Sequence, residues 1–128
     1  MGQQQLLLIV LGVIIVGIAV VVGINIFTAS SSQANRDAVI ADLTNLTSLA
    51  HQHYRKPTAL GGGGTEFTGW TVPASLDTTG NGVYTATVAA QTVTIVGVGN
   101  EKGNDGTSAV QVTMVISPDK ITSTTINN

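Results

Sequence analysis

Two histidines, His51 and His53, invite the first chemical reading, because imidazole serves both as a metal ligand and as a general base. They stand two positions apart in a stretch with helical patterning, about 200° around the axis, so one helix cannot bring both to one metal ion. They are expected as solvated or interface histidines. The segment Gly99–Ser108 (GNEKGNDGTS) offers Glu101, Asn104 and Asp105, hard oxygen ligands of the kind calcium takes. Their spacing matches no EF-hand, and a hairpin loop rich in Gly, Asn and Asp needs no ion. Gly61–Gly64 (GGGG) has the composition of a phosphate-cradling loop. Neither Lys-Ser/Thr nor a helix start follows it, so it reads as a flexible connector. Asn45-Leu46-Thr47 is a formal glycosylation sequon. No Ser or Cys sits in a recognisable nucleophile elbow, and no carboxylate pair lies in a motif with a mechanism. These residues point away from an enzyme, and no metal or other cofactor is expected.

The elements that would carry them are organised around a different stretch, Leu6–Ile24 (LLLIVLGVIIVGIAVVVGI), nineteen residues without a charge. As a helix it spans about 28 Å, close to the hydrocarbon thickness of a bilayer. A chain of 128 residues cannot easily bury such a rod within itself. It must sit in lipid or be covered by copies of itself. Met1–Gln5 (MGQQQ) is uncharged, and the apolar run exceeds that of a secretory signal peptide, so cleavage after Ala29 is disfavoured. The first charge of either sign is Arg36. The positive-inside signal therefore has nothing to act on, as if a charged leader had preceded the chain. Ala19 and Gly23 form a small-xxx-small pair, and Gly12 and Gly23 lie nearly on one face, the spacing of closely packed helices.

Downstream the helical pattern resumes. Val39, Leu43, Leu46, Ala50 and Tyr54 step by three or four, with Ile40 and Leu49 widening the stripe. Pro57 ends it, with Arg55 and Lys56 well placed for the helix dipole. With no proline before Pro57, one helix over residues 1–56 is the simplest reading, with local loosening allowed near Gly17–Gly23 or Ser30–Ser32. Phe67 and Trp70 are expected to pin the following loop onto it. Strands are predicted at Val83–Ala90, after the turn signal Gly80-Asn81-Gly82, and at Gln91–Val98, Ala109–Ser117 and Lys120–Ile126. Short links between successive strands imply an antiparallel meander. The fold class is therefore α+β: one long N-terminal helix with a small antiparallel sheet on its second half. The divisions are an apolar half-helix (1–28), an amphipathic half-helix (29–56), a glycine-rich loop (57–82) and a sheet (83–128), with 29–128 forming the globular part.

Charged residues make up 9% of the chain and the net charge is −2, which excludes the electrostatic footprint of a nucleic-acid binder. There is no cysteine, so neither a disulfide nor a thiolate metal site is available. Phe27 and Tyr54, the two aromatics of the predicted helix, stand about 40 Å apart along its axis, too far for a stacked electron-conducting ladder.

Apolar half-helix, amphipathic continuation ending in AHQHYRKP, loop and antiparallel sheet together resemble a type IV pilin or related pilin-like subunit; the order of elements is the bacterial one, while archaeal pilins and flagellins share the apolar helix. The resemblance implies a helical filament of identical subunits outside the cell, held in the inner (cytoplasmic) membrane before assembly. It further implies a prepilin peptidase and pilus assembly machinery as partners, with the leader cut before Met1 or before Gln3; Met1 is taken as the mature first residue. Leu6, Leu8, Val10, Gly12, Ile15, Gly17, Ala19, Gly23 and Phe27 would then pack in a filament core. Val39, Leu43, Leu46, Ala50 and Tyr54 would meet Trp70, Val112 and Met114 in the head. Two departures stand out. Gln5 occupies the place near the N-terminus where the family usually carries a glutamate, and it makes a polar contact without neutralising charge. The proline that often interrupts the family's apolar helix is absent. The alternatives are a membrane-anchored extracytoplasmic binding module, a minor pilin or a secretion-system pseudopilin.

Overall fold

The computed structural model describes residues 2–128; the expectation that Met1 is the mature first residue lies outside them. The first element is a single α-helix, α1 (Gly2–Arg55), of 54 residues. It runs without interruption through Gly17–Gly23 and Ser30–Ser32, where loosening had been allowed. No proline removes a donor along its length, and Thr28 Oγ1 takes the Ile24 carbonyl (3.0 Å) as an additional acceptor, which leaves the backbone ladder in place. The chain divides at Ser31/Ser32 into two compact units, a little beyond the boundary at residue 29 read from composition.

The N-terminal unit is helix alone. The C-terminal unit holds the rest of α1 and four strands: β1 (Gly82–Val88), β2 (Val93–Lys102), β3 (Ala109–Ile116) and β4 (Ile121–Ile126). They form one antiparallel sheet in the order β1-β2-β3-β4, the meander expected from the short links. The inner face of the sheet carries Tyr84, Val93, Ile95, Val110, Val112, Met114 and Ile116, all buried. They share one core with Val39, Leu43, Leu46 and Ala50 from α1 and with Phe67 and Trp70 from the loop. Tyr54 is half-buried at its margin, its ring 4.9 Å from that of Phe67. Alternation of period two along β3 and a stripe of period three to four along the helix are the two patterns that let these faces meet.

Two local differences from the sequence reading have physical causes. The longest break was expected at 99–108, yet β2 continues to Lys102 through an irregular register beyond Val98. Helix side chains draw it on: Asn35 Oδ1 accepts from Glu101 N (3.2 Å), and Ser32 Oγ donates to the Lys102 carbonyl (2.5 Å). The glycine run is also no free spacer. After the short 3-10 turn Thr58–Leu60, it wraps back over the end of α1. Gly63 N donates to His53 O (2.8 Å), Gly64 N to Lys56 O (3.0 Å) and Thr65 N to Tyr54 O (2.8 Å), satisfying carbonyls a helix end otherwise leaves open. Gly61 adopts φ +85°, and a Cβ on Gly63 would lie 1.8 Å from the Glu66 carbonyl oxygen. Glycine is required by that geometry rather than by flexibility.

Candidate assembly surface

In the N-terminal unit the residues expected to pack together lie open. Leu6, Leu8, Val10, Ile15 and Phe27 are 55–74% exposed, and Gln5, Gly12, Gly17, Ala19 and Gly23 share the same exposed helix. A Cβ placed on Gly12, Gly17 or Gly23 meets nothing within 4 Å. Exposed apolar area on this scale is far beyond what a soluble monomer tolerates, so the surface requires a covering. The helix is long and apolar enough to cross a membrane, a property shared by anchors and by N-terminal signal sequences.

In the C-terminal unit the residues singled out for chemistry are taken up in structure. His51 Nε2 lies 2.9 Å from the Ser117 carbonyl oxygen and His53 Nε2 lies 3.2 Å from that of Thr68, each reaching a different segment. Asn104 Oδ1 accepts from Arg36 (2.8 Å). Asp105 Oδ1 accepts from the backbone N–H groups of Thr107 and Ser108, both at 2.8 Å, and from Asn128 Nδ2 at 3.2 Å. These donors hold the Asp105 carboxyl down at about 2. Among the described residues no group of three or more His, Cys, Asp or Glu side chains converges on a metal position. In the sequon, Asn45 is exposed, but Thr47 is buried and its hydroxyl donates to Leu43 O (2.9 Å) beside Met114 Sδ.

Two polar centres escaped the sequence reading. Asp42 Oδ2 accepts from Tyr84 OH (2.5 Å), Thr79 Oγ1 (3.0 Å) and Asn81 Nδ2 (3.1 Å). Burial by itself would raise the Asp42 carboxyl, but the three donors outweigh it and the net direction is down. Burial and the Asp42 hydrogen bond push the Tyr84 hydroxyl upward. Arg36, the first charge of the chain, is buried; its guanidinium donates to Gln33 Oε1 (2.9 Å) and Asn104 Oδ1 (2.8 Å). Its Nε has no hydrogen-bond partner among the described residues. No sequence pattern marks either centre, and a polar residue's position on the helix does not name partners 42 or 68 residues away.

These features define a class: an α+β chain with one long, N-terminally apolar helix and a four-stranded antiparallel sheet. Comparison with protein-family models, with curated proteins and with solved structures returns no match.

Proposed function

We propose that the chain is a structural subunit of an extracellular type IV pilus-like filament, held in a membrane by its apolar half-helix before assembly. The observation that carries this reading is one uninterrupted helix whose residues 6–27 are uncharged and exposed and whose later turns belong to a folded head. Fully burying an apolar side chain of this size gains about 1.5–3 kcal/mol against water. Bundling identical helices covers each with its neighbours, and the small residues let their backbones approach. Lipid is an apolar competitor and association costs rigid-body freedom, so leaving the membrane requires external work. That requirement fits the assembly machinery, with its motor, implied by the resemblance. No catalytic role is proposed.

The test is physical. Full-length protein from cell surfaces or from detergent solution is centrifuged and imaged. Sedimentable filaments of uniform width support the proposal; monomers that stay in detergent and never pellet overturn it in favour of a membrane-anchored binding module.

A further inference from the structure

The charged groups of the C-terminal unit are distributed unevenly between its two ends. At the near end, Ser32, Asn35 and Arg36 of α1 hold Lys102, Glu101 and Asn104. At the far end, His51 reaches Ser117 and the loop after Pro57 folds back on the helix terminus. The near end exposes Asp37, Glu101 and Asp105 against Lys102, while its other cation, Arg36, is buried. The far end exposes Arg55, Lys56 and Lys120 against Glu66 and Asp119. An apolar feature accompanies each. Leu60, 66% exposed, sits in the turn beside Lys56, and Val83 and Val98 are cross-strand partners, 45% and 40% exposed, on the outer face of the sheet at the near end.

Resting on the filament reading, we infer that the far end of one head (Arg55, Lys56, Leu60) docks on the near end of the next copy (Val83, Val98, Glu101). Copies that share one helix direction present unlike ends to each other. Such a contact is head-to-tail, so it propagates along a filament rather than closing a dimer. The opposite sign of the two ends favours this pairing over far end on far end, where like charges would meet. The occupant of both surfaces is therefore a second copy of this chain.

The experiment uses full-length protein from which detergent is removed, followed by sedimentation in about 0.05 M and about 1 M salt, the latter cutting the screening length to about 3 Å. For the wild type, the concentration needed for pelleting rises with salt. Arg55→Glu with Lys56→Glu raises it about fivefold, the effect of turning a modest attraction toward Glu101 into repulsion. Adding Glu101→Lys restores it to within about twofold, and the thermal melts of all three proteins coincide. Filaments of the double variant that pellet like wild type, a defect that Glu101→Lys does not repair, or pelleting indifferent to salt each overturn the inference while leaving the filament reading intact. Absence of wild-type filaments removes both.

Discussion

Tyr84, on the first strand, donates its hydroxyl proton to Asp42 of the helix across 42 positions of sequence and 2.5 Å of space. This bond joins the sheet's leading edge to α1 at the middle of the head. Thr79 and Asn81 converge on the same carboxylate oxygen, so one acid holds both the strand and the turn that precedes it.

Tyr84→Phe therefore deletes the shortest of three donors to a partly exposed anion. The expected cost is about 1–2 kcal/mol, reduced from the value for a fully buried charged hydrogen bond, measured by urea unfolding of the head. The sign of the pH dependence follows from the direction of the shift. Asp42 is lowered from its ordinary 3.8, so its contribution is complete above that value and is lost as pH falls through and below it. In Tyr84→Phe the carboxyl moves up and the acid-dependent loss of stability becomes shallower. A variant with the wild-type acid profile would contradict this account. Asp105 behaves the same way, its share draining between about 4 and its lowered value of about 2.

Arg36 makes a different prediction because, among the described residues, its hydrogen-bond partners are the neutral Gln33 and Asn104. Arg36→Met removes the charge and the orphaned Nε together, and its stability is expected within about 1 kcal/mol of wild type. Asn104→Leu leaves the guanidinium in place without its acceptor and is expected to cost about 1–3 kcal/mol. The informative measurement is the order of the two melts; Arg36→Met falling below Asn104→Leu would refute the argument.

Leu8→Asp or Ile15→Asp tests the apolar unit. Neither residue belongs to the head core, so head unfolding should be unchanged while filament assembly is abolished, an uncompensated buried charge costing several kcal/mol. Because no carboxylate precedes Asp37, hydrogen exchange of residues 6–24 in intact filaments, corrected for intrinsic rates, should be nearly the same at about pH 3 and about pH 7. Loss of protection in acid, or normal filament yield from either variant, would reject helix bundling as the core.

Gly63→Ala should destabilise the head by about 1–3 kcal/mol, because the new methyl meets backbone rather than a yielding side chain. Gly23→Leu should leave head stability untouched, since nothing lies within 4 Å of a Cβ there. Any assembly defect in Gly23→Leu then reports a neighbouring helix. Thermal melts and sedimentation of the two variants separate the cases.

What the sequence disclosed depended on whether the signal was local. Pro57 and the unbroken apolar and amphipathic patterns marked the end of α1 to within one residue of Arg55. Val110, Val112, Met114 and Ile116 announced the inner face of β3 by alternation alone. The exposed apolar residues 6–27 were equally plain, since nothing else in the chain could cover them. Partners distant in sequence were not legible. Gly99–Lys102 has loop-like composition and becomes strand only because Asn35 and Ser32 hold it from the helix. The Asp42 centre draws on four residues with no shared pattern, and the role of Gly63 depends on where Glu66 happens to return.

The burial of Arg36 also governs how the folded chain meets a trypsin-like protease. Such an enzyme cuts after lysine or arginine in backbone that can be drawn into an extended strand, and it avoids a bond to proline. The chain holds five such residues. Arg36 is buried mid-helix, and Lys56 precedes Pro57. Arg55 is exposed but is the last residue of the helix, where residues 63–65 hold the carbonyls of His53, Tyr54 and Lys56 in place, so Lys102 and Lys120, at the two ends of the sheet, are the readier sites of entry. The first 54 residues thus offer no ready cleavage point while the head stays folded, and a nick elsewhere leaves α1 in one piece.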